Sequence, residues 1–473
     1  MRPPRVIHPQ LRSLRHLPLA PAILAACVLV EAIVLPVGID DLDEGYFVQQ
    51  AVRVLHGQVP YRDFDSLYTP GLAYAHAGLF GLLGVPYLLG PRALSLVARA
   101  GVVALLYVLA RPLVKHPAWA ALPGVFLLVG FDPAPDRWEP HPGWPSTFFA
   151  VLATYFLPRG NYLAAGAAAG MTYLFKQNAG AFMLTALLVQ SLPRWRNTAA
   201  VAAGFGGLTL LWLVPLIVAV DGQLQLLAPF VGVVNQAGLY AAPEPTIVIP
   251  LLCLLGGGAT WRATREPRLR WYVLAGTSLF LTQYPRSDSL HLAWSAPLLL
   301  VVGTVALQRV RPLAAGVLVA WATFLCLPVL QYRVDQVAQA TTAIAGIPAA
   351  NGLRVPAQTW SDLLNTIAEI QHRTSPSEPI LVYPSSPLLY ALSDRRNPTR
   401  FDHLNPGSAT PAQLEQAIGD LERVRLVVVS DYWRHAWGPP GANASLEEWL
   451  FGRFQEVARF GPYRVLTRRD ASL

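Results

Sequence analysis

Asp40, Asp41, Asp43, Glu44, Asp63 and Asp65 fall in one segment, DDLDEGYFVQQAVRVLHGQVPYRDFDSLYTPG (40–71), directly after the first long apolar run. Carboxylates beside hydrocarbon are costly unless they are solvated or used. A second polar loop, DPAPDRWEPHP (132–142), adds Asp132, Asp136 and Glu139. Cations punctuate other loops: Lys176, Arg286 and His291, with Arg62 and Arg92 as further candidates. A positioned carboxylate takes a proton from a hydroxyl as a general base. Fixed cations stabilise charge that builds on an anionic leaving group. Together they suit transfer of a group from an anionic donor to a hydroxyl.

Each of these residues also has a plain structural role open to it. Asp43-Glu44 can belong to a solvated loop, and Lys176 can snorkel to an interface. Arg286 and Asp288 can pair locally and hold a turn. His291 can be an ordinary interfacial residue at a helix start, and Asp132 and Asp136, among Pro133 and Pro135, can shape a turn. Chemistry is favoured only if separate loops bring the charges to one place, which depends on the elements that carry them.

Those elements belong in a membrane. Charged residues are 14% of the chain and hydrophobic ones 53%, with mean hydropathy +0.38; a soluble domain carries about 25% charged residues. The formal charge of +8 comes from short basic clusters between apolar runs, not from one basic patch. That pattern marks cytoplasmic membrane loops rather than nucleic-acid binding. Cys27, Cys253 and Cys326 all sit inside apolar runs and read as small core residues. The basic start MRPPRVIHPQLRSLRHLP precedes an apolar run over 17–37. Leu24-Ala25-Ala26-Cys27 resembles a lipoprotein cleavage box, but the run continues far enough past it to span, so it reads as a first span.

Apolar runs recur at 17–37, 91–110, 118–131, 143–158, 161–175, 177–192, 198–220, 246–260, 271–283, 291–307 and 312–330, about eleven spans. A further run, 70–89, contains Gly81, Gly84 and Pro86. If it does not span, the basic clusters at 111–115, 159, 194–196, 262–270 and 309–311 join the amino terminus on one side. It is therefore expected to lie in the outer interface, as is the amphipathic piece 47–55. The same parity puts 40–90, 132–142, 221–245 and 284–291 outside. The stretch 161–192 would measure ~48 Å as one helix against ~30 Å of hydrocarbon, so a hairpin of two helices with Lys176 at its outer tip is expected. All the unusual charges then share the outer face. Acids beside cations there suit glycosyl transfer from a lipid-phosphate sugar.

Beyond Leu330 the composition turns polar. Strands are expected at 380–383, 425–430 and 463–467, and helices at 360–373, 411–423 and 445–459. The order suggests a small α/β unit with a short parallel sheet. Asn443-Ala444-Ser445 matches a glycosylation sequon. Clustered carboxylates favour hard divalent cations, but no ligand set of defined spacing occurs. A divalent metal is left open and no other cofactor is indicated.

The chain resembles the GT-C superfamily of membrane glycosyltransferases, in the branch holding protein O-mannosyltransferases, the lipid A aminoarabinose transferase and Rgt-type bacterial transferases. The residues that carry the resemblance are Asp43-Glu44, Gly57, Pro60 to Phe64, Tyr68 to Gly71, Arg92, Phe175-Lys176-Gln177, and Pro285 to Asp288 with His291. NPTRFDHLNPG (397–407) looks typical of the carboxy-terminal unit of relatives. The resemblance implies a mostly α, polytopic protein of GT-C type over 1–330, with an outer loop 39–90 and an extracytoplasmic α/β domain over 331–473. It implies inverting transfer of a monosaccharide from a polyprenyl-phosphate donor to a cell-envelope lipid, glycan or protein, at the outer face of a bacterial-type inner membrane. Asp43 would be the base, supported by Glu44. Lys176 and Arg286, with His291, would bind the donor phosphate. Asp63, Arg62, Asp132, Asp136 and Asp288 are the remaining candidates. Three other readings stand beside this one. A transporter or lipid flippase would need midplane charges and repeated halves, and no repeat is visible. The chain could instead anchor a binding module, or be an oligosaccharide ligase with a diphosphate donor.

Overall fold

A computed structural model describes residues 19–85, 87–131, 140–192, 194–222, 244–284, 287–434 and 441–469. The basic amino terminus, Asp132, Asp136, Glu139, most of the loop 221–245 and Arg286 lie outside the described residues. The chain begins with α1 (Leu19–Val34), α2 (Asp43–Leu55), α3 (Gly71–Leu83) and α4 (Leu89–Ala110). The bundle continues through α5 (Pro117–Phe126), α6 (Gly143–Phe156), α7 (Tyr162–Phe175), α8 (Gln177–Ser191) and α9 (Trp195–Ala219). It closes with α10 (Val248–Thr264), α11 (Pro267–Phe280), α12 (Ser289–Ser295), α13 (Pro297–Leu307) and α14 (Pro312–Gln339).

Every apolar run read from the sequence carries a helix. Among the described residues four helical stretches, Leu89–Leu113, Trp195–Ala219, Pro245–Thr264 and Pro312–Gln339, are long and apolar enough to cross a membrane. The pair α12 and α13, bent by 75°, makes a fifth if counted as one span. The other runs among the expected eleven form helices too short for that test. A run of apolar residues records burial, and burial inside a helical bundle looks the same in sequence as burial in lipid. Residues 71–83 form one helix straight through Gly81, and it is Gly84, at φ 75°, that ends it.

One buried core joins α4, α6, α7, α8, α11 and α13, through residues such as Leu106, Val151, Met183, Leu279 and Val301. Charge is buried here too. Glu31 of α1 accepts from Arg99 of α4 at 2.8 Å and Arg333 of α14 at 3.0 Å, and Arg99 lies over the Trp144 ring. Such a group needs its partners, because an isolated charge in an apolar interior is too costly.

Helix α14 runs past Leu330 to Gln339 before the polar unit begins. That unit holds β1 (Thr342–Ala343), β2 (Arg354–Val355), α15 (Ala357–Arg373), β3 (Leu381–Tyr383), α16 (Leu388–Ser393), α17 (Pro411–Asp420) and β4 (Leu426–Ser430). It ends with α18 (Asp431–Arg434), α19 (Ala444–Arg453), β5 (Phe454–Phe460) and β6 (Tyr463–Arg468). The three expected strands are present in a sheet of order β3-β4-β6-β5. Only β3 and β4 are parallel, and the other pairs are antiparallel. The expected helix 445–459 stops at Arg453, and the rest is β5. A bulge between Glu456 and Ala458 breaks the in-out alternation that would have marked this strand. Asn443 of the sequon is buried, donating to Tyr383 Oη and to the Leu404 carbonyl.

The polar unit grips α2 directly. Arg53 pairs with Asp402 at 2.8 Å with both side chains buried, and donates to the Thr399 carbonyl. Arg400 pairs with Asp65 at 2.6 Å. Asp41 accepts from Ser386 Oγ at 2.6 Å and from Tyr463 Oη at 2.7 Å. The acid-rich loop is thus held between the helical bundle and the carboxy-terminal unit.

Candidate active site

The adjacent acids of α2 have opposite surroundings. Asp43 sits in the first helical turn and is only half-buried. The turn before it is tied by Asp40, whose Oδ1 accepts from the backbone N–H groups of Leu42 and Asp43 at 2.9 and 3.1 Å. Among the described residues the Asp43 carboxylate has no hydrogen-bonding or ion-pair partner. A helix amino terminus favours a negative charge there. Glu44, 1% exposed, points the other way. Both its oxygens are taken by Arg92 at 2.7 Å, a bidentate pair. Arg92 spends its remaining donors on the carbonyls of Leu35, Val37 and Gly38. Glu44 therefore pins the end of the first apolar segment to α4, and the pair leaves Asp43 as the open acid. Burial, with Asp43 and Asp41 beside it, holds the Asp40 carboxyl well above the usual carboxylate range.

One face of α2 leads from Asp43 into an aromatic wall. Residues three and four positions along a helix share its face, and here these are Tyr46 and Phe47. Phe47 meets His141 edge-on at 5.2 Å. His141 stacks on Trp294 with ring centroids 3.8 Å apart. Its Nδ1 accepts the Gly143 N–H at 2.9 Å, so the neutral ring carries its hydrogen on Nε2, 3.1 Å from Tyr68 Oη. Gly143 is required where it is, because any Cβ there would run into the Trp294 indole.

Lys176 reaches the same wall from the opposite side. Its extended backbone, φ −149° and ψ 105°, breaks 162–191 into the expected two helices. Thr69 and Gln177 hold that break against the outer loop: Thr69 Oγ1 donates to the Tyr173 carbonyl at 2.7 Å, and Gln177 exchanges bonds with the Thr69 N–H and the Leu67 carbonyl. Lys176 is 6% exposed, and its Nζ lies 4.9 Å from the centre of the Trp294 ring. Among the described residues the ammonium makes no hydrogen bond or ion pair. Burial pushes its ammonium down to about 8, against the pull of Asp288. Asp288 caps α12, accepting from the His291 N–H at 2.9 Å and meeting His291 Nδ1 at 2.8 Å.

The fold thus brings Lys176, His291 and Asp288 to the Trp294 end of one aromatic wall, and Asp43 lies one helical turn from Phe47 at its other end. Arg62 and Asp63 pair with each other at 2.7 Å, and Asp63 also accepts the Val59 N–H. They brace their own turn, with Arg62 reaching towards the Ala219 carbonyl. The hydrogen bond from Arg62 holds the Asp63 carboxyl below its ordinary value. Asp132, Asp136 and Arg286 lie outside the described residues. Sequence reasoning missed His141, Tyr68 and Trp294 as parts of the site, although His141 ends the second acid-bearing loop. It also missed His403, whose ring stacks on Tyr46 at 4.3 Å. Among the described residues no group of three His, Cys, Asp or Glu side chains could hold a metal.

No protein-family model and no curated protein sequence matches the chain. Solved structures do match in fold. ArnT from Cupriavidus metallidurans, solved with undecaprenyl phosphate bound, aligns with a TM-score of 0.59 at 14% identity, over 95% of this chain and 98% of that one. The oligosaccharyltransferase of Archaeoglobus fulgidus, solved with zinc and sulfate, aligns with a TM-score of 0.55 at 13% identity, over 91% of this chain and 70% of that one. The same archaeal enzyme, AglB, solved with an inhibitory peptide and a dolichol-phosphate, aligns with a TM-score of 0.53 at 12% identity, covering 98% and 75%. The chain has the fold of the GT-C membrane glycosyltransferases.

Proposed function

We propose that this protein is a polytopic membrane glycosyltransferase that moves a monosaccharide from a polyprenyl-phosphate donor to a hydroxyl of a cell-envelope acceptor, with inversion. The amino terminus is cytoplasmic. The acid-rich loop and the α/β domain after the last span lie on the outer face of the bacterial-type inner membrane. One observation carries the reading: among the described residues Asp43, one turn from Phe47 on α2, has no cation partner, and the buried ammonium of Lys176, at the Trp294 end of the same aromatic wall, has no ion-pair partner. A buried charge without a partner is too costly to keep without use, and an anionic phosphate supplies the missing partner. The bound phosphates in two structures of the same fold belong to those proteins and agree with this choice.

In the proposed reaction Asp43 takes the proton of the acceptor hydroxyl as its oxygen attacks the anomeric carbon. The anomeric carbon–phosphate oxygen bond breaks on the opposite face, and its electron pair leaves on the polyprenyl phosphate. Lys176 stabilises that charge, with the His291 end of α12 beside it at Trp294, and Arg286, outside the described residues, is the further cation proposed for the phosphate. The aromatic wall of Phe47, His141 and Trp294 gives apolar faces for a sugar ring. Asp43→Asn tests the reading in purified, reconstituted protein. It should bind undecaprenyl phosphate as the parent does and lose transfer. Transfer at the parental rate by this variant refutes it.

A further inference from the structure

The segment 397–407 of the carboxy-terminal unit is built into the face of α2 that carries Asp43. Tyr46, one helical turn from Asp43, is fixed by the Leu67 N–H on its Oη at 3.0 Å. The His403 ring lies flat on it, 4.3 Å between centroids and 17° between planes. Residues i and i+3 are neighbours on a helix surface, so a ring covering Tyr46 lies beside Asp43. Consistently, the Asp43 charge acts on His403, opposing the burial that pushes its imidazole down to about 4. The segment has little freedom to move away. Asp402 is locked to Arg53, and Arg400 to Asp65, both in the three residues before His403. His403 Nδ1 meets Ser385 Oγ at 2.7 Å. Among the described residues no hydrogen-bond partner is found for its Nε2. Where the Ser385 hydroxyl donates to Nδ1, the neutral ring carries its hydrogen on Nε2.

We propose that the carboxy-terminal unit completes the acceptor side of the site, with the Nε2–H of His403 binding the acceptor oxygen that Asp43 deprotonates. The acceptor class is then a hydroxylated group, such as a saccharide, seated between α2 and segment 397–407. His403 takes no proton. It donates one hydrogen bond to the oxygen while that oxygen's proton passes to Asp43. This inference rests on the transferase reading given above.

The test uses the full chain reconstituted in lipid, with polyprenyl-phosphate sugars labelled in the source cells as donor and envelope membranes of a deletion strain, titrated by mass, as acceptor. His403→Phe keeps the ring on Tyr46 and removes Nε2. It should raise the acceptor KM about tenfold, while binding of undecaprenyl phosphate alone stays within twofold of the parent. His403→Gln restores a side-chain donor and should recover most of the loss. An unchanged acceptor KM in His403→Phe overturns the proposal. So does an equal loss of acceptor KM and undecaprenyl phosphate affinity, which would mark a structural role. Asp43→Asn, run alongside, separates the two ideas: parental transfer by that variant removes the transferase reading, whatever His403 does.

Discussion

The neighbours Asp43 and Glu44 should fail in opposite ways when each loses its charge. Glu44→Gln strips the anion from a pair in which both side chains are 1% exposed. Arg92 keeps three backbone carbonyls but is left as a buried cation without its carboxylate. Breaking such a pair from one side costs about 3–5 kcal/mol, a large share of a typical total of about 5–15 kcal/mol. The double variant Glu44→Gln with Arg92→Met removes both charges and should recover part of that loss. The recovery is incomplete because the carbonyls of Leu35, Val37 and Gly38 lose their donor. Asp43→Asn removes a half-buried carboxylate without a partner, so its melting should stay within about 0.5 kcal/mol of the parent. Its transfer rate should fall about 10²–10⁴-fold, the usual contribution of a general base. Thermal melts of the detergent-purified protein, followed by tryptophan fluorescence, report the first quantity. Label transfer per folded molecule reports the second. If Glu44→Gln melts like the parent and still loses transfer as fully as Asp43→Asn, then Glu44 does chemistry and its assignment as a structural anchor is wrong.

Three further outcomes follow from the geometry. Burial lowers Lys176 from the ordinary 10.5 to about 8, so the apparent donor KM should rise as pH passes upward through about 8, and Lys176→Arg should abolish that inflection. Between those two values the unfolded chain binds more protons than the folded one, so this group's contribution to stability rises with pH while donor binding weakens; a melt that falls across that window would contradict it. Gly45→Ala would put a Cβ against the Leu388 backbone, so overpacking of about 1–3 kcal/mol should open the contact between α2 and the carboxy-terminal unit, seen as faster proteolytic release of that unit. Glu31→Ala leaves Arg99 and Arg333 without their shared carboxylate and should cost about 3–5 kcal/mol in the same melting assay.

The carboxylates could be placed from sequence, because charge beside long apolar runs is rare enough to stand out. Length arithmetic, with Arg159 and Arg194 flanking the stretch, broke 161–192 at Lys176, and the structure has its break there. The helices and three of the strands were likewise legible, since their apolar residues repeat at the period of the element. Strand β5 was not, because its bulge disrupts the alternation.

Sequence by itself determined which residue types were available: an Asp-Glu pair after an apolar run, a lysine between two apolar helices, and acids and cations gathered in the loops between apolar runs. It put Asp43 and Glu44 together in the catalytic machinery, as base and support, because adjacency along the chain is all that a sequence records. Only the tertiary structure separated them. A helix turns about 100° per residue, so neighbours face different surroundings, and the difference depends on Arg92, far along the chain. His141 and His403 were invisible as site residues for the same reason. His141 matters through its stack on Trp294, and His403 through its stack on Tyr46. Both contacts join residues from distant parts of the chain that only packing brings together.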